Sequence, residues 1–389
     1  MKKMLFMGIV ASAALAMTGC SSDETVLTPS AQGNAIEFGT YLGRDAQMRG
    51  TVMDNDALKN MGVYASYTGH GDYATTDTPN FMFNQEVTKS GSAWTYSPVK
   101  YWPSTKDDKV SFFACAPFGD ANGVKTVSSA GDAGAPSVEV TVLDAAKMKD
   151  FVAGVQMNKT FDNGASEDNT VKFALMHEMS RVGISAKLDK EFYSATEDGK
   201  KTFVVIKDVQ IDKATEGQFY SKAKYTFSTT TGTRGTWDLT GATKSSEDCN
   251  LANILNKVSI TAANAVSGDY KTGVKGIKLT NGDAVSLFKS NEYLFLIPAS
   301  ANDGEGLTDG KATATITYDI VTEDSKLAAG YSVTSATKTV NLPENTLKQG
   351  EAYTYTFVIK LNEVVLSATV TNWSDATDNS VDVPYDANN

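Results

Sequence analysis

Apolar and polar residues alternate with a period of two along much of this chain, a pattern typical of strands that bury one face. The clearest example is the run YTYTFVIKL at 353–361, which is followed by the short turn Asn362-Glu363. A second alternating run occupies 364–370. Two such runs joined by a tight turn predict an antiparallel hairpin near the C-terminus.

Three further segments show the same alternation. Val138, Val140 and Val142 are predicted to share one strand face, as are Ala312, Ala314, Ile316 and Tyr318. In the third segment we predict that Phe203, Val205, Val209 and Ile211 share a face that Lys207 interrupts. Helical periodicity is nearly absent, and 251–257 is an example of where a short helix could interrupt the strands. The chain is therefore expected to be all-β.

Strand candidates separated by Gly, Asn, Asp and Ser clusters are typical of β-sandwiches. Seven candidates precede residue 189: 62–67, 81–87, 110–116, 137–143, 151–156, 171–175 and 181–187. About as many follow, and a charged stretch lies at 189–200. We therefore predict two sandwich domains, at 50–190 and 191–389.

The N-terminus has the features of an export signal. Lys2 and Lys3 precede a mostly apolar stretch over 5–17, which is too short to span a membrane as a helix. The stretch ends in MTGC at 17–20, which resembles a bacterial lipobox. We predict a signal peptide over 1–19 and lipidation of Cys20, which would anchor the chain to a membrane. The acidic SSDE that follows is either an outward-sorting signal or a solvated tether.

Charge and composition narrow the function classes. The 389 residues carry a formal net charge of −11, and 41% of them are hydrophobic, as expected of a folded protein with a core. No basic cluster suited to nucleic acid is present. Arginine occurs at only four positions, and two of these, Arg44 and Arg49, lie close together near the N-terminus.

Motifs for catalysis or metal binding are missing from the sequence. Its only histidines are His70 and His177, and no zinc, phosphate-loop or nucleophile-elbow motif occurs. We expect His177 to be a structural residue and Cys115 to act as a small strand hydrophobe. A disulfide bridge between Cys115 and Cys249 is possible, but no feature of the sequence supports it. Aromatic side chains can form platforms on which sugars stack, but they more often pack in the core or at the edge of a sandwich. Both alternatives apply to the four tryptophans, Trp94, Trp102, Trp237 and Trp373. We expect no enzyme activity, cofactor or metal.

Five segments, in order, resemble the fimbrillin family, the type V pilins of anaerobic Gram-negative bacteria. They are IEFGT at 36–40 with MRGT at 48–51, LKNMGVYASYT at 58–68, VKYWP at 99–103 with KVSFFACAPF at 109–118, FALMHEMSRVGI at 173–184, and SATVTNW at 367–373. Each segment alone is an ordinary strand, and the ordered set with the lipobox carries the resemblance.

The resemblance implies two tandem transthyretin-like β-sandwich domains and an outer-membrane lipoprotein that an Arg-specific protease trims. Residues 20–49 would form a tether and a removable first strand around 35–41, cut after Arg49 or, less favoured, Arg44. A strand from another pilus subunit would fill the vacated groove and build a surface fimbrium. The donor would come from the C-terminal region, with 364–370 and its tail as the candidate.

Two other functions remain open at the level of sequence. A non-polymerising surface lipoprotein could bind glycans or host ligands through exposed aromatic side chains. A secreted hydrolase on a β-sandwich could hold a carboxylate pair in a cleft, because such a pair leaves no local signature. The lipobox fits all three functions, whereas the ordered segments and the N-terminal arginines favour the pilus subunit.

Overall fold

The computed structural model describes residues 34–42, 57–143, 148–161, 170–190, 202–211, 219–244, 276–279, 282–288, 293–298, 313–342, 347–360, 364–372 and 381–383. Within these ranges the regular elements are strands and one 3-10 turn at Asp120–Asn122, apart from the single helical residue Lys190. No helix there is long and apolar enough to cross a bilayer. The prediction of an all-β chain is confirmed, while the helix considered near 251–257 lies outside the described residues.

The strands up to residue 190 are β1 (Phe38–Leu42), β2 (Asn60–Gly69), β3 (Met82–Ser90), β4 (Ala93–Thr95), β5 (Lys109–Ala116), β6 (Val124–Thr126), β7 (Ser137–Thr141), β8 (Val152–Thr160), β9 (Val171–His177) and β10 (Ser180–Leu188). All seven predicted segments in this part of the chain coincide with strands. Sequence alternation thus located most strands here, although β4 and β6 are only three residues long and gave no such signal.

The later strands are β11 (Thr202–Ile211), β12 (Tyr220–Thr226), β13 (Thr236–Lys244), β14 (Ile277–Leu279), β15 (Val285–Ser286), β16 (Leu294–Leu296), β17 (Thr313–Glu323), β18 (Tyr331–Asn341), β19 (Glu351–Ile359), β20 (Val364–Asn372) and β21 (Val381–Val383). β19 and β20 pair antiparallel with Ile359 opposite Val364. The predicted C-terminal hairpin is therefore confirmed.

The first sheet contains seven strands in the order β1-β9-β8-β5-β2-β3-β4. It curls so that β1 approaches β4 and the residues after it, and its inner side encloses one apolar cluster. β5 lies in the middle and is buried on both faces, because Phe112 and Ala114 join this inner cluster while Phe113 and Cys115 join a second, larger one. A strand buried on both faces has a continuous apolar sequence, as SFFACA does.

Three smaller sheets pack around the larger cluster. Their orders are β13-β12-β7-β6, β14-β11-β17-β18 and β15-β10-β19-β20-β21, with β16 also paired to β10. The large cluster draws on all three sheets and on the outer side of the first sheet, where Tyr64 and Phe113 contact Phe227 of the segment after β12. The sheets are thus packed face to face, in sandwich fashion.

Strand pairing crosses the domain boundary that the sequence predicts near residue 190. β10 precedes that boundary but pairs in parallel with β19 from Arg181 to Leu188, so it is a strand of the C-terminal sheet. β12 follows the boundary but pairs with β7. The edges of the sheets therefore do not coincide with residue 190, and the division into domains at 50–190 and 191–389 stays a prediction.

A bulge in β11 makes one sequence interpretation wrong. Phe203 and Val205 belong to a small cluster on one side of their sheet, whereas Val209 belongs to the large cluster on the other side. The register shifts between Ile206 and Asp208, which inserts Lys207 as an extra residue and exchanges the two faces. The Lys207 Nζ lies 2.6 Å from Oδ1 of the fully buried Asp319, so the bulge also directs a compensating charge inward.

Candidate functional site

The first described segment, residues 34–42, closes the curled first sheet. On one side β1 pairs in parallel with β9, from Phe38 opposite Val171 to Leu42 opposite Leu175. On the other side, residues 34–36 bond to residues 100–102, which follow β4. We call the space that residues 34–42 fill between these two edges the N-terminal groove.

Backbone hydrogen bonds hold residues 34–42 at both edges of the N-terminal groove. The Val171 N–H donates to the Glu37 carbonyl at 2.8 Å. Across the groove, the Ile36 N–H donates to the Lys100 carbonyl at 2.9 Å, and the Trp102 N–H donates to the Asn34 carbonyl at 2.9 Å. Loss of this segment would leave donors and acceptors unpaired on two sheet edges, which is the condition that attracts another strand.

Alternating side chains of this segment face the core. Ile36, Phe38, Thr40 and Leu42 are buried, whereas Tyr41 is 43% exposed. This is the alternation of a strand with one buried face. The predicted strand around 35–41 therefore exists as β1, Phe38–Leu42, which begins three residues later and ends one residue later than predicted.

Phe38 is the most enclosed side chain of the segment. Its ring centroid lies 5.9 Å from Phe173 in a stacked arrangement and 6.1 Å from Phe112 edge-on. Tyr96 completes the surroundings at 5.3 Å, with its ring tilted by 55°. These distances fall in the range at which aromatic rings attract one another beyond simple burial. The pocket around Phe38 is therefore the main apolar contact within the N-terminal groove.

The predicted modification sites lie outside the described residues. Cys20, Arg44 and Arg49 all belong to this group, as do Cys249 and Trp373. Cys115 is a free, buried thiol whose pKa burial raises to about 12, so it remains protonated at neutral pH. Its predicted behaviour as a strand hydrophobe is confirmed.

Charged and polar groups meet where three of the sheets come together. His177, at the end of β9, lies with Nδ1 2.6 Å from Oδ2 of the fully buried Asp150. The Arg234 Nε donates to the His177 carbonyl at 3.3 Å, and the Trp237 Nε1 donates to the Glu178 carbonyl at 2.8 Å. His177 is thus a hydrogen-bonded structural residue, as the sequence predicted.

Glu178 is the central carboxyl group of this junction and has no exposed surface. Burial raises the pKa of Glu178 to about 8. The charge of Arg234, the hydrogen bonds from Tyr225 and Gln349, and the nearby His177 act in the opposite direction and lower this pKa. Gln349, just before β19, donates its Nε2 to Glu178 Oε2. Because these groups come from β9, from β12 and from the segments just before β10, β13 and β19, the junction ties the N-terminal sheets to the C-terminal one.

Gly350 shows how tightly this junction is packed. Its φ of +69° is in the left-handed region, which glycine adopts without strain. A side-chain carbon at this position would also collide with the guanidinium of Arg234. The Gly350 N–H donates to the Met179 carbonyl at 3.0 Å, so the turn before β19 is held against the β9–β10 connection.

Other chemistry finds little support in the described part of the chain. No group of three or more His, Cys, Asp or Glu side chains is arranged there to hold a metal ion. Trp94, Trp102 and Trp237 are buried in the two clusters, as predicted for core residues. Exposed aromatic side chains do occur at other positions, namely Tyr41, Tyr67, Phe83 and Tyr101.

Sequence reasoning located β1 but missed two residues that matter at these sites. Tyr96 lies in an irregular polar stretch, and Glu178 looks like a surface carboxylate in the run HEMSR. For Tyr96 the signal available was an aromatic residue near VKYWP, whereas for Glu178 the only signal was its position between two apolar strands. Both are explained by contacts with distant segments.

The chain is similar to known fimbrial proteins in both sequence and fold. A family profile described as fimbrillin-like matches residues 49–373. The fimbrium subunit Fim1C of Phocaeicola vulgatus is 27% identical over 396 residues, which cover 96% of this chain and 98% of that protein. The crystal structure of a fimbrial protein from Bacteroides vulgatus superposes with a TM-score of 0.67 at 23% identity, and covers 87% of this chain and 99% of that one. The profile match over most of the sequence shows that this chain belongs to the fimbrillin-like family.

Proposed function

We propose that this chain is a structural subunit of a surface fimbria or cell-adhesion assembly and is not an enzyme. Export as a lipoprotein through Cys20 would first anchor it at the outer membrane. Cleavage after Arg49, or after Arg44, would then release residues 34–42. A strand from another copy or a related subunit would enter the N-terminal groove and link the subunits into a filament.

The observation that carries this proposal is the double pairing of residues 34–42. The segment fills a groove between two sheet edges, and both N-terminal arginines lie in the connection between β1 and β2. One cut there would separate the segment from the rest of the chain without breaking any other strand.

The surroundings of Arg181 and Arg234, the two arginines within the described residues, support selective cleavage elsewhere in the chain. Arg181 lies within β10, where Phe295 of β16 and Ala352 of β19 flank it. Arg234 is followed by the buried Gly235, whose N–H donates to the Tyr225 hydroxyl at 3.0 Å. Since a protease needs an extended and accessible segment, both peptide bonds are protected in the folded chain. An Arg-specific protease is therefore restricted to Arg44 and Arg49.

The C-terminal tail is a better donor than the segment 364–370 itself. β20 pairs with β19 along its entire length, so removing it would disrupt the C-terminal sheet. β21 pairs with β20 over only three residues, Val381–Val383, at the edge of that sheet. Short edge strands detach at a lower free energy than central ones. We therefore place the donor at β21 and the residues after it.

Substitution of Arg49 by lysine tests the proposal. In a chain without residues 1–20, an Arg-specific protease should cut the wild type once, and Arg49→Lys should block that cut while keeping the positive charge. Mass spectrometry locates the cut, and unheated SDS gels should show high-mass species only after cleavage. Arg181→Lys serves as the control and should leave cleavage and polymer formation unchanged.

The alternatives give different results in the same experiment. A single cut that moves to Arg44 would relocate the processing site but keep the mechanism. Rapid cleavage at Arg181 or Arg234, or a monomer that persists after complete cleavage, would contradict self-assembly. A persistent monomer would instead favour a surface lipoprotein that binds glycans through exposed aromatic residues such as Tyr67 and Phe83.

A further inference from the structure

Backbone pairing in the N-terminal groove cannot by itself select an occupant. Every extended strand offers the same N–H and C=O groups to the edges formed by β9 and by residues 100–102. Selection must come from the pockets that receive alternate side chains. Of the four inward positions, 36, 38, 40 and 42, position 38 carries an aromatic ring that contacts three other rings, while position 40 holds the small, polar Thr40.

Tyr96 differs from the other two residues of the Phe38 pocket. Phe112 and Phe173 are fully buried strand residues that pack the inner cluster. Tyr96 lies between β4 and the edge at 100–102, and is half-buried. Its ring contacts Phe38, and its hydroxyl donates to the Ile36 carbonyl at 2.9 Å. Tyr96 thus contacts both a side chain and the backbone of the segment in the groove.

The hydroxyl of Tyr96 has a second partner within its own segment. It accepts a hydrogen bond from the Lys100 N–H at 3.2 Å and lies 3.3 Å from the Lys100 carbonyl. A hydroxyl has one proton, so it donates to the nearer Ile36 carbonyl when the groove is filled. When the groove is empty, the Lys100 carbonyl can accept the hydrogen bond from the Tyr96 hydroxyl instead. In an empty groove, this hydrogen bond would keep Tyr96 oriented towards the groove.

We propose that the N-terminal groove selects a strand with a large aromatic side chain at the position of Phe38, and that Tyr96 is the residue that clamps this strand. The occupant is an extended segment of a second copy of this chain. The ring of Tyr96 contacts the aromatic side chain, and its hydroxyl holds the carbonyl two residues before it. This inference rests on the proposed function, because it describes the same groove after the first strand has left.

Peptide binding tests the pocket independently of natural processing. A recognition sequence for a protease that does not cut after arginine is inserted between Arg49 and Gly50 in the otherwise full chain. Cleavage is carried out with an excess of a fluorescent synthetic peptide spanning residues 34–42, and the affinity of the exchanged complex is measured. Peptide with Phe38→Ala should bind about 100-fold more weakly, as expected for loss of a fully enclosed aromatic ring.

The Tyr96→Phe chain should bind the unaltered peptide about 3- to 10-fold more weakly, because it lacks one backbone hydrogen bond. Tyr101→Phe is the matched control, since Tyr101 lies on the same edge with 45% of its surface exposed, and its affinity should equal that of the wild type. Thermal unfolding of each intact variant checks that both chains fold. The cleaved Tyr96→Phe chain should also form fewer high-mass species than the cleaved Tyr101→Phe chain.

Three results would overturn the inference. Equal affinities of the Tyr96→Phe and Tyr101→Phe chains would remove Tyr96 from the clamp. Equal binding of the Phe38→Ala and unaltered peptides would remove the aromatic pocket. A wild type that binds peptide with the expected preferences but never forms high-mass species would exclude a second copy as the occupant. The proposed Arg-specific processing fails separately if the inserted site supports assembly but the Arg-specific protease cuts after neither Arg49 nor Arg44.

Discussion

Replacing Phe38 by alanine should lower the free energy of unfolding of the intact chain by about 3–5 kcal/mol. The side chain is fully buried among Phe112, Phe173 and Tyr96, and its loss leaves a cavity that rigid aromatic neighbours fill poorly. Chemical denaturation followed by tryptophan fluorescence measures the change. Tyr41→Ala, on the outward face of the same strand, should cost much less, about 1 kcal/mol or less.

The effect of Phe38→Ala should vanish once residues 34–42 have been cut away and have left the groove. Trimmed wild-type and trimmed Phe38→Ala chains then have identical sequences, so their denaturation curves should coincide. Two trimmed proteins that still differed in stability would show that the cut segment stays bound. An intact Phe38→Ala chain as stable as the wild type would contradict the central role of this ring in the groove.

The second large effect concerns Glu178 and the pH of the solution. Its pKa is about 8 in the folded chain against an ordinary 4.5, because burial disfavours the carboxylate. Between these two values the folded chain binds more protons at Glu178 than the unfolded chain, so the contribution of this group to stability is full below about pH 4.5 and is lost as the pH rises to about 8. The expected loss from this group between about pH 5 and about pH 9 is roughly 4 kcal/mol.

Glu178→Gln should remove most of this pH dependence, since glutamine resembles the protonated acid and has no proton to lose. Denaturation curves should coincide with those of the wild type near about pH 5, and the variant should be more stable by several kcal/mol near about pH 9. Glu139→Gln is the control, because Glu139 keeps part of its side chain in water beside Lys222, and it should retain the pH dependence of the wild type. A Glu178→Gln chain whose stability falls with pH as steeply as the wild type would falsify this assignment.

Local alternation predicted individual strands well and failed where the backbone departs from regular geometry. Val138, Val140, Ala314 and Ile316 face the large cluster as their spacing predicted. In β11 the same reasoning failed beyond Lys207, because an inserted residue reverses the two faces without changing the composition of the segment. A bulge of this kind is fixed by its partner strand and by the buried Asp319, neither of which is adjacent in sequence.

The candidate site was predicted in part. The sequence indicated a strand near 35–41 and a nearby pair of arginines, and the family resemblance supplied the expectation that this strand is removable. Parallel pairing with β9, bonding to residues 100–102 and the clamp at Tyr96 were not predictable. They bring together segments that are between about 60 and 130 residues apart, and local periodicity carries no information on such pairing.

The sequence by itself determined that this protein is all-β, where most of its strands lie and, except beyond the bulge in β11, which side chains of the alternating strands share a face, because the period of two follows from strand geometry alone. The tertiary structure decided which edges pair, since all sheet edges present the same backbone groups. It also decided that β10 joins the C-terminal sheet and that Glu178 is buried, because burial depends on what packs above a residue. The groove at β1 is a property of three segments that meet only in the folded chain.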